Sequence, residues 1–203
     1  AKTLKIPQST AITCVKPSGT VSQLVDSASG IHTRHSPYYI RTVRCDTKDP
    51  LTSFMIEKGF PNEPDVTNPT SVTVFSFPIK SPDRAVCRND VGAIQQLEIW
   101  LLYQKHWCEH KPSVTISVKD HEWMDVGAWV YKNFDHVAGI SFLPYADHVY
   151  QQAPYEDIDA TKYKELLTSM PKGVDWEDLG DFEQEDNTTG SQELACVGGA
   201  CEL

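Results

Sequence analysis

Short apolar segments rich in β-branched residues alternate along the chain with longer segments in which apolar residues recur at helical spacing. The apolar segments predict strands, because β-branched side chains fit a half-buried pleated surface. Four such strands are expected, at residues 11–15 (AITCV), 71–77 (SVTVFSF), 113–118 (SVTISV) and 139–143 (GISFL).

The segments of helical spacing predict three long helices. The clearest covers residues 91–107, with Asp90 as its N-cap. Its apolar stripe consists of Ile94, Leu97, Leu101 and Leu102. A second helix is expected at residues 121–134 after Asp120 as N-cap, and a third at residues 159–170.

Strands that alternate with helices indicate the α/β class, with parallel neighbouring strands in a sheet or in a barrel. The pattern alone does not choose between a sheet and a barrel. The length of 203 residues fits one domain or most of one. We therefore expect an α/β body over residues 1–172.

The composition changes after the last predicted helix, because residues 173–203 contain neither Lys nor Arg. This segment carries many carboxylates, then polar residues, and then two cysteines near its end. Acidic segments of this kind are usually solvated. We interpret residues 173–203 as a flexible acidic tail.

The net charge of −10 argues against the general attraction to phosphate backbones on which nucleic-acid binding depends. No apolar run approaches the roughly 20 residues that cross a bilayer, so no membrane partner is expected. The first residues have neither an initiator Met nor the features of a secretory signal. The chain is therefore expected to be cut from a longer polypeptide and to belong to the reducing cytoplasm.

Cys196 and Cys201 are separated by four small residues and lie close to the chain end. A disulfide here would close almost no folded loop, so it would stabilise the fold little. A mobile dithiol could instead carry reducing equivalents by thiol exchange. Half of a zinc site and an incidental pair remain alternatives, although no second ligand pair is visible. No metal site is therefore predicted.

A second candidate site is the segment KPSGTVSQL, which joins the first predicted strand to a helix. Its polar and glycine residues are Ser18, Gly19, Thr20 and Ser22. Hydroxyls and free N–H groups at a helix N-terminus suit a phosphate, but an ordinary capped turn has the same sequence.

The histidines give weaker signals. His106, Cys108 and His110 lie near the end of the long helix and could approach a metal, but no further ligand is evident, so solvated polar residues are the simpler interpretation. His32 and His35 flank Arg34 in a loop and could contact a ligand.

Four separated blocks together resemble the C-terminal part of the adenosylcobalamin-dependent (class II) ribonucleotide reductases, and the resemblance is greatest to the monomeric, triphosphate-reducing type. The blocks are KPSGTVSQLVDSASGIHTRHSPYYIRTVR, PSVTISVKDHEWMDVGAWVYKNFD, GISFLPYADHVYQQAPYEDI and ACVGGAC. They occur in the family's order and extend over essentially the whole chain.

The resemblance implies that residues 1–172 form the C-terminal part of a ten-stranded α/β barrel. It also implies that Ser18, Gly19, Thr20 and Ser22 hold the phosphates of a ribonucleotide substrate. The pair Cys196 and Cys201 would re-reduce an active-site disulfide after each turnover and would itself be reduced by thioredoxin or a similar dithiol reductant.

The resemblance further implies adenosylcobalamin as the radical cofactor. In the oxygen-dependent class, adjacent tyrosines would be expected in the strand that here reads Leu143, Pro144 and Tyr145. The family's radical cysteine and its finger loop precede the phosphate loop, and nothing in this chain matches them. None of the other four cysteines is assigned to these roles.

We therefore expect the C-terminal portion of a reductase that makes 2′-deoxyribonucleotides and is inactive without its missing N-terminal part. The alternative is a non-catalytic thiol-relay or phosphate-binding half of a split reductase that needs a separate partner chain.

Overall fold

A computed structural model describes residues 1–19, 21–145 and 150–183. The helices are α1 (Val21–Leu24), α2 (Pro50–Glu57), α3 (Ala93–His106), α4 (Trp123–Lys132) and α5 (Ala160–Ser169). The strands are β1 (Tyr38–Asp46), β2 (Asn62–Pro64), β3 (Val72–Lys80), β4 (Thr115–Val118), β5 (Ser141–Pro144) and β6 (Tyr155–Asp157). Short 3₁₀ helices cover Asp120–Glu122, Phe134–His136 and Glu177–Asp181.

The chain folds as two compact units. The first comprises Ala1–Ser36 and Ser81–Asp147, and the second comprises Pro37–Lys80 and His148–Leu203. Both units mix helices with strands, so the predicted α/β composition is confirmed. The ten-stranded barrel and the tail at residues 173–203 remain predictions.

The first unit is built around the parallel pair β4 and β5, in which Thr115 lies opposite Ser141. Helices α3 and α4 complete its core. The core residues are Ala93, Leu97, Trp100, Leu101, Val114, Ile116, Val118, Val126 and Trp129. Trp100 is fully buried, and its indole N–H donates to the Pro112 carbonyl at 2.8 Å. The largest side chain of this core therefore leaves no unpaired polar atom.

Three details of the predicted helices in this unit are wrong. Helix α3 has Gly92 as its N-cap, because the Asp90 carboxylate instead accepts from the Cys87 N–H at 2.8 Å. Its buried face includes Trp100, whereas Leu102 is 59% exposed. Asp120 begins a 3₁₀ turn and does not cap the helix that follows.

The expected first strand, residues 11–15, is not a regular strand. The segment runs beside residues 109–113, where the Thr13 carbonyl accepts from the Glu109 N–H at 2.9 Å and the Val15 carbonyl accepts from the Ser113 N–H at 3.1 Å. These bonds fix the chain that enters the candidate phosphate loop, although they form no continuous ladder.

The second unit contains a four-stranded sheet in the order β2-β3-β1-β6, and every pairing in it is antiparallel. The expectation of parallel neighbours is therefore wrong for this unit and holds for β4 and β5. Helix α2 covers part of the sheet and buries Phe54 and Met55 against Phe75. Helix α5 has Asp159 as its N-cap, whose carboxylate accepts from the Lys162 N–H at 2.7 Å.

A buried carboxylate organises the polar side of the second unit. Asp65 is 3% exposed and accepts from the Thr67 hydroxyl at 2.6 Å, the Thr67 N–H at 2.8 Å and the Asn68 N–H at 2.9 Å. Arg44 donates to its other oxygen at 2.9 Å. The Thr67 hydroxyl contributes most to lowering the pKa of Asp65, with help from both N–H groups and Arg44, and together they outweigh the opposing effect of burial.

Replacing Asp65 with Asn should destabilise the second unit by about 2 kcal/mol, because hydrogen bonds to a charged group contribute about 1.5–3 kcal/mol. Native-state hydrogen exchange at the Thr67 and Asn68 amides measures this loss. Since the pKa of Asp65 is lower in the folded chain, its contribution is present at neutral pH and is lost as pH falls below about 4. The variant should therefore lack that acid dependence.

Asp46→Asn is the matched control for this prediction. Asp46 accepts one exposed bond from the Lys48 N–H at 2.8 Å, and an Asn side chain can still accept it. Equal exchange protection in Asp65→Asn and Asp46→Asn would contradict the role given to Asp65.

Candidate functional site

The candidate phosphate loop, which contains Ser18, Gly19, Thr20 and Ser22, lies in the first unit. Hydrogen bonds between Ser18 and Ser22 hold its turn together. The Ser22 N–H donates to the Ser18 hydroxyl at 3.0 Å, and the Ser22 hydroxyl donates back to the Ser18 carbonyl. The Ser18 N–H donates to the Ser29 hydroxyl at 2.8 Å. The structure therefore brings Ser18 and Ser22 together at the start of helix α1.

The predicted contacts differ in their exposure. Ser22 is 6% exposed and holds the turn through Ser18, whereas Gly19 is exposed. A Cβ atom added at Gly19 would meet no atom within 4 Å, so the space beside its backbone is open. Thr20 lies outside the described residues. Both sequence interpretations, a capped turn and a phosphate site, fit this arrangement.

Helix α1 is only four residues long, so its conformation depends on the contacts behind it. Gly30 packs there with φ +58°, and a Cβ atom on it would lie 3.0 Å from the Lys16 carbonyl oxygen and 3.3 Å from a Val15 methyl carbon. Glycine is favoured at this position both by its left-handed backbone conformation and by this close approach.

His32 connects the loop to the parallel strands. Its Nε2 accepts from the Thr115 N–H at 2.9 Å, and its Nδ1 lies 2.7 Å from the Ser29 carbonyl oxygen. Because a backbone N–H can only donate, Nε2 must be the acceptor, and Nδ1 therefore carries the proton that bonds to Ser29. This one ring fixes the back of the loop to the first residue of β4.

Arg34 is a second support of the loop. It is 5% exposed, and its guanidinium donates to the Ser27 carbonyl at 2.6 Å and to the Asp26 carboxylate at 3.1 Å. Its side chain also reaches the Ser81 hydroxyl at 3.4 Å. The sequence identified His32 only as a possible ligand contact, together with His35, and assigned no role to Arg34. The structure uses both to position the segment that follows α1.

The second candidate site, Cys196 and Cys201, lies outside the described residues. The other four cysteines carry free thiols: Cys14 is exposed, Cys45 and Cys108 are partly buried, and Cys87 is buried. Burial and, to a lesser extent, the nearby Asp49 carboxylate raise the pKa of Cys45. Its thiolate, the reactive form, is therefore disfavoured.

The described ranges offer neither a metal-binding cluster nor a membrane-spanning helix. Residues 1–19, 21–145 and 150–183 contain no group of three or more His, Cys, Asp or Glu side chains arranged to hold a metal ion. His106, Cys108 and His110 thus gain no further ligand from this part of the chain. None of the helices in these ranges has the length and hydropathy needed to cross a membrane.

Replacing Gly30 with Ala should disturb the candidate loop. The left-handed backbone costs about 1 kcal/mol once a Cβ is present, and contact with the Lys16 carbonyl adds to this. The amide resonances of Ser18 and Ser22 should shift, and the free energy of unfolding should fall.

Gly59→Ala is the control for Gly30→Ala. Gly59 has φ +81°, but a Cβ atom there meets nothing within 4 Å, so the substitution introduces strain without a clash. If the loop resonances move equally little in both variants, the close approach at Gly30 does not hold the loop.

The sequence and fold were compared with known proteins. No family model matches the chain. It is 34% identical over 183 residues to a probable adenosylcobalamin-dependent ribonucleoside-triphosphate reductase of Dictyostelium discoideum, an alignment that covers 87% of this chain and 24% of the relative. It is 30% identical over 214 residues to the adenosylcobalamin-dependent ribonucleoside-triphosphate reductase of Lactobacillus leichmannii, covering 100% of this chain and 28% of the relative.

The corresponding enzyme of Euglena gracilis is 30% identical over 84% of this chain, which is 24% of the relative. The fold matches the crystal structure of a B12-dependent (class II) ribonucleotide reductase with a TM-score of 0.69 and 27% sequence identity, over 91% of this chain and 24% of that one. The chain thus spans about a quarter of the length of the relatives it matches. By sequence and by fold, it belongs to the family of adenosylcobalamin-dependent, class II ribonucleotide reductases.

Proposed function

We propose that this chain is the C-terminal portion of an enzyme that reduces ribonucleoside triphosphates to 2′-deoxyribonucleoside triphosphates. The observation that carries the proposal is the similarity to three reductases of that name over 84–100% of this chain. The remainder of the enzyme, on the same or a separate polypeptide, would supply the radical cysteine. The free thiols of the described residues fit the reducing cytoplasm that we propose as its location.

In this proposal the loop of Ser18, Gly19, Thr20 and Ser22 binds the triphosphate of the substrate. The Ser18 hydroxyl accepts from the Ser22 N–H, which leaves its own proton available for a phosphate oxygen. The open space beside Gly19 would allow phosphate to approach the backbone. His32 and Arg34 would act indirectly, by holding this loop in position before the substrate binds.

Adenosylcobalamin, the proposed cofactor, supplies radical chemistry when it is bound. Both ring nitrogens of His32 already have partners, so His32 is not available as a ligand of its cobalt. No other residue of the described ranges is assigned to this cofactor. No step is therefore assigned to the cofactor, and its contacts are expected from the rest of the enzyme.

The pair Cys196 and Cys201 is proposed to deliver the electrons. Reduction of the substrate would leave a disulfide between two active-site cysteines. One tail thiolate attacks that disulfide, the second tail thiolate resolves the mixed disulfide, and the active-site sulfurs leave as thiols. Two electrons and two protons thus pass to the active site, and thioredoxin restores the tail dithiol by the same exchange.

Replacing Cys196 or Cys201 with Ser in the complete reductase should abolish repeated turnover with thioredoxin as reductant. A single turnover of the prereduced enzyme should be unchanged, because that turnover needs only the active-site dithiol. Rapid-quench measurement of deoxynucleotide formed per enzyme distinguishes the two regimes.

Cys14→Ser is the matched control, since Cys14 is exposed but is given no role in the relay. The Cys14→Ser variant should retain both repeated turnover with thioredoxin and single turnover of the prereduced enzyme. Full multiple turnover in Cys196→Ser and Cys201→Ser would exclude the relay.

Replacing Ser18 with Ala should weaken triphosphate binding by about ten- to a hundredfold, because a charge-assisted hydrogen bond contributes roughly 1.5–3 kcal/mol. The affinity for the corresponding nucleoside, which has no phosphate, should change little. Equilibrium dialysis with both ligands separates loss of a phosphate contact from general damage to the site.

Ser169→Ala is a suitable control, because the Ser169 hydroxyl makes only an exposed local bond to the Leu166 carbonyl among the contacts described for it. An equal loss of nucleoside and triphosphate affinity in Ser18→Ala would show that Ser18 only supports the turn.

A further inference from the structure

The first part of the acidic segment is packed against the second unit. Three of its apolar residues pack against the cluster formed by Phe54, Met55 and Phe75. They are Val174, Leu179 and Phe182. The acidic segment is therefore attached to the fold at least as far as residue 182.

Aromatic contacts define this attachment. The Trp176 ring lies 5.4 Å from the Phe54 ring and 6.2 Å from the Phe60 ring, measured between centroids. The Phe182 ring meets Phe54 edge to face at 5.5 Å. Phe54 is fully buried, so two residues of the acidic segment are held by one core side chain.

The spacing of the apolar residues fits the local helix. Trp176, Leu179 and Phe182 recur every third residue, and the 3₁₀ helix Glu177–Asp181 places side chains three apart on the same face. The Glu183 and Phe182 N–H groups both donate to the Leu179 carbonyl, at 3.2 and 3.0 Å. This short helix thus presents one apolar face to the unit.

An ion pair reinforces the attachment. The Lys58 ammonium lies 2.6 Å from the Asp178 carboxylate, and the same ammonium lies 5.4 Å from the Phe54 ring centroid. The hydrogen bond to Asp178 raises the pKa of Lys58. One acidic residue of the segment therefore has a specific partner in the second unit.

We propose that Trp176, Leu179 and Phe182 form an anchor that fixes the origin of the arm carrying Cys196 and Cys201. The arm then starts after residue 183 and not at residue 173. This inference rests on the proposed relay role of the cysteine pair.

In this proposal the anchor shortens the arm considerably. Thirteen residues lead from Glu183 to Cys196, which span at most about 45 Å when fully extended. Without the anchor the arm would start at Gly173, and 23 residues would span at most about 80 Å. The local concentration of an arm-borne group falls roughly as the −3/2 power of arm length, so release would dilute the dithiol about twofold.

A crossed deletion experiment in the complete reductase tests the anchor. Deleting residues 184–193 leaves two residues, Leu194 and Ala195, between Glu183 and Cys196, and these three Cα–Cα steps span about 10 Å. With the anchor intact, thioredoxin-dependent turnover should fall at least about tenfold, towards that of Cys201→Ser. In a chain that also carries Trp176→Ala and Phe182→Ala, the arm regains thirteen residues from Gly173, and turnover should recover to within about threefold of the undeleted enzyme.

The anchor hypothesis fails if the deletion is tolerated in the anchored chain, or if it is equally harmful in both backgrounds. Single turnover of the prereduced enzyme shows whether each variant still folds, because that step does not use the arm. If the double Ala variant loses single turnover, Asp178→Lys replaces it, since it opposes Lys58 without changing the apolar cluster. Release is verified by faster hydrogen exchange at the Phe182 and Glu183 amides.

Failure of the relay and failure of the anchor give different results. If Cys196→Ser leaves multiple turnover intact, the relay role is wrong whatever the deletion shows. If Cys196→Ser abolishes multiple turnover and the deletion is tolerated, the relay stands and the anchor is wrong.

Discussion

The conformation of the candidate phosphate loop depends on the ring of His32. A helix of four residues cannot sustain itself, because forming the first turn fixes several residues for a single hydrogen bond. His32 compensates by bonding to Ser29 on one side and to Thr115, the first residue of β4, on the other. Ser29 in turn holds Ser18. The loop is therefore placed by the parallel strands and not by its own helix.

Arg34, which is buried, also supports the loop from outside helix α1. A guanidinium out of water must have partners, and Arg34 finds them in Ser27 and Asp26, directly after α1. A triphosphate needs donors that are already in position, since ordering them on binding would cost conformational entropy. Under the proposed phosphate role, His32 and Arg34 behind the short helix would supply that order before a ligand binds.

The sequence predicted the elements whose signals are local. β3, β4 and β5 are apolar and β-branched, and α5 lies within the predicted residues 159–170, with Asp159 as its N-cap. The sequence did not predict β1, because the arginines in YYIRTVRCD interrupt the apolar run. One of them, Arg44, is paired with Asp65 only in the folded chain, and this distant contact leaves no local signal in the sequence. The antiparallel order of the second unit likewise depends on pairing between distant segments, which periodicity does not encode.

In the candidate site, too, features with a local sequence signal could be predicted and features that depend on distant contacts could not. Ser18 and Gly19 could be selected from residue type and from their place before a helix, whereas the double role of His32 depends on a contact 83 residues away along the chain. The acidic segment does contain a pattern that predicts packing against the fold, but its many carboxylates favoured the interpretation as a solvated tail. Trp176, Leu179 and Phe182 recur at the spacing of a 3₁₀ helix, and a purely solvated arm would have no use for three large apolar residues on one face. In the proposed relay, a dithiol that meets the same disulfide at every turnover benefits from a fixed origin, because the encounter rate depends on where the arm begins as well as on its length.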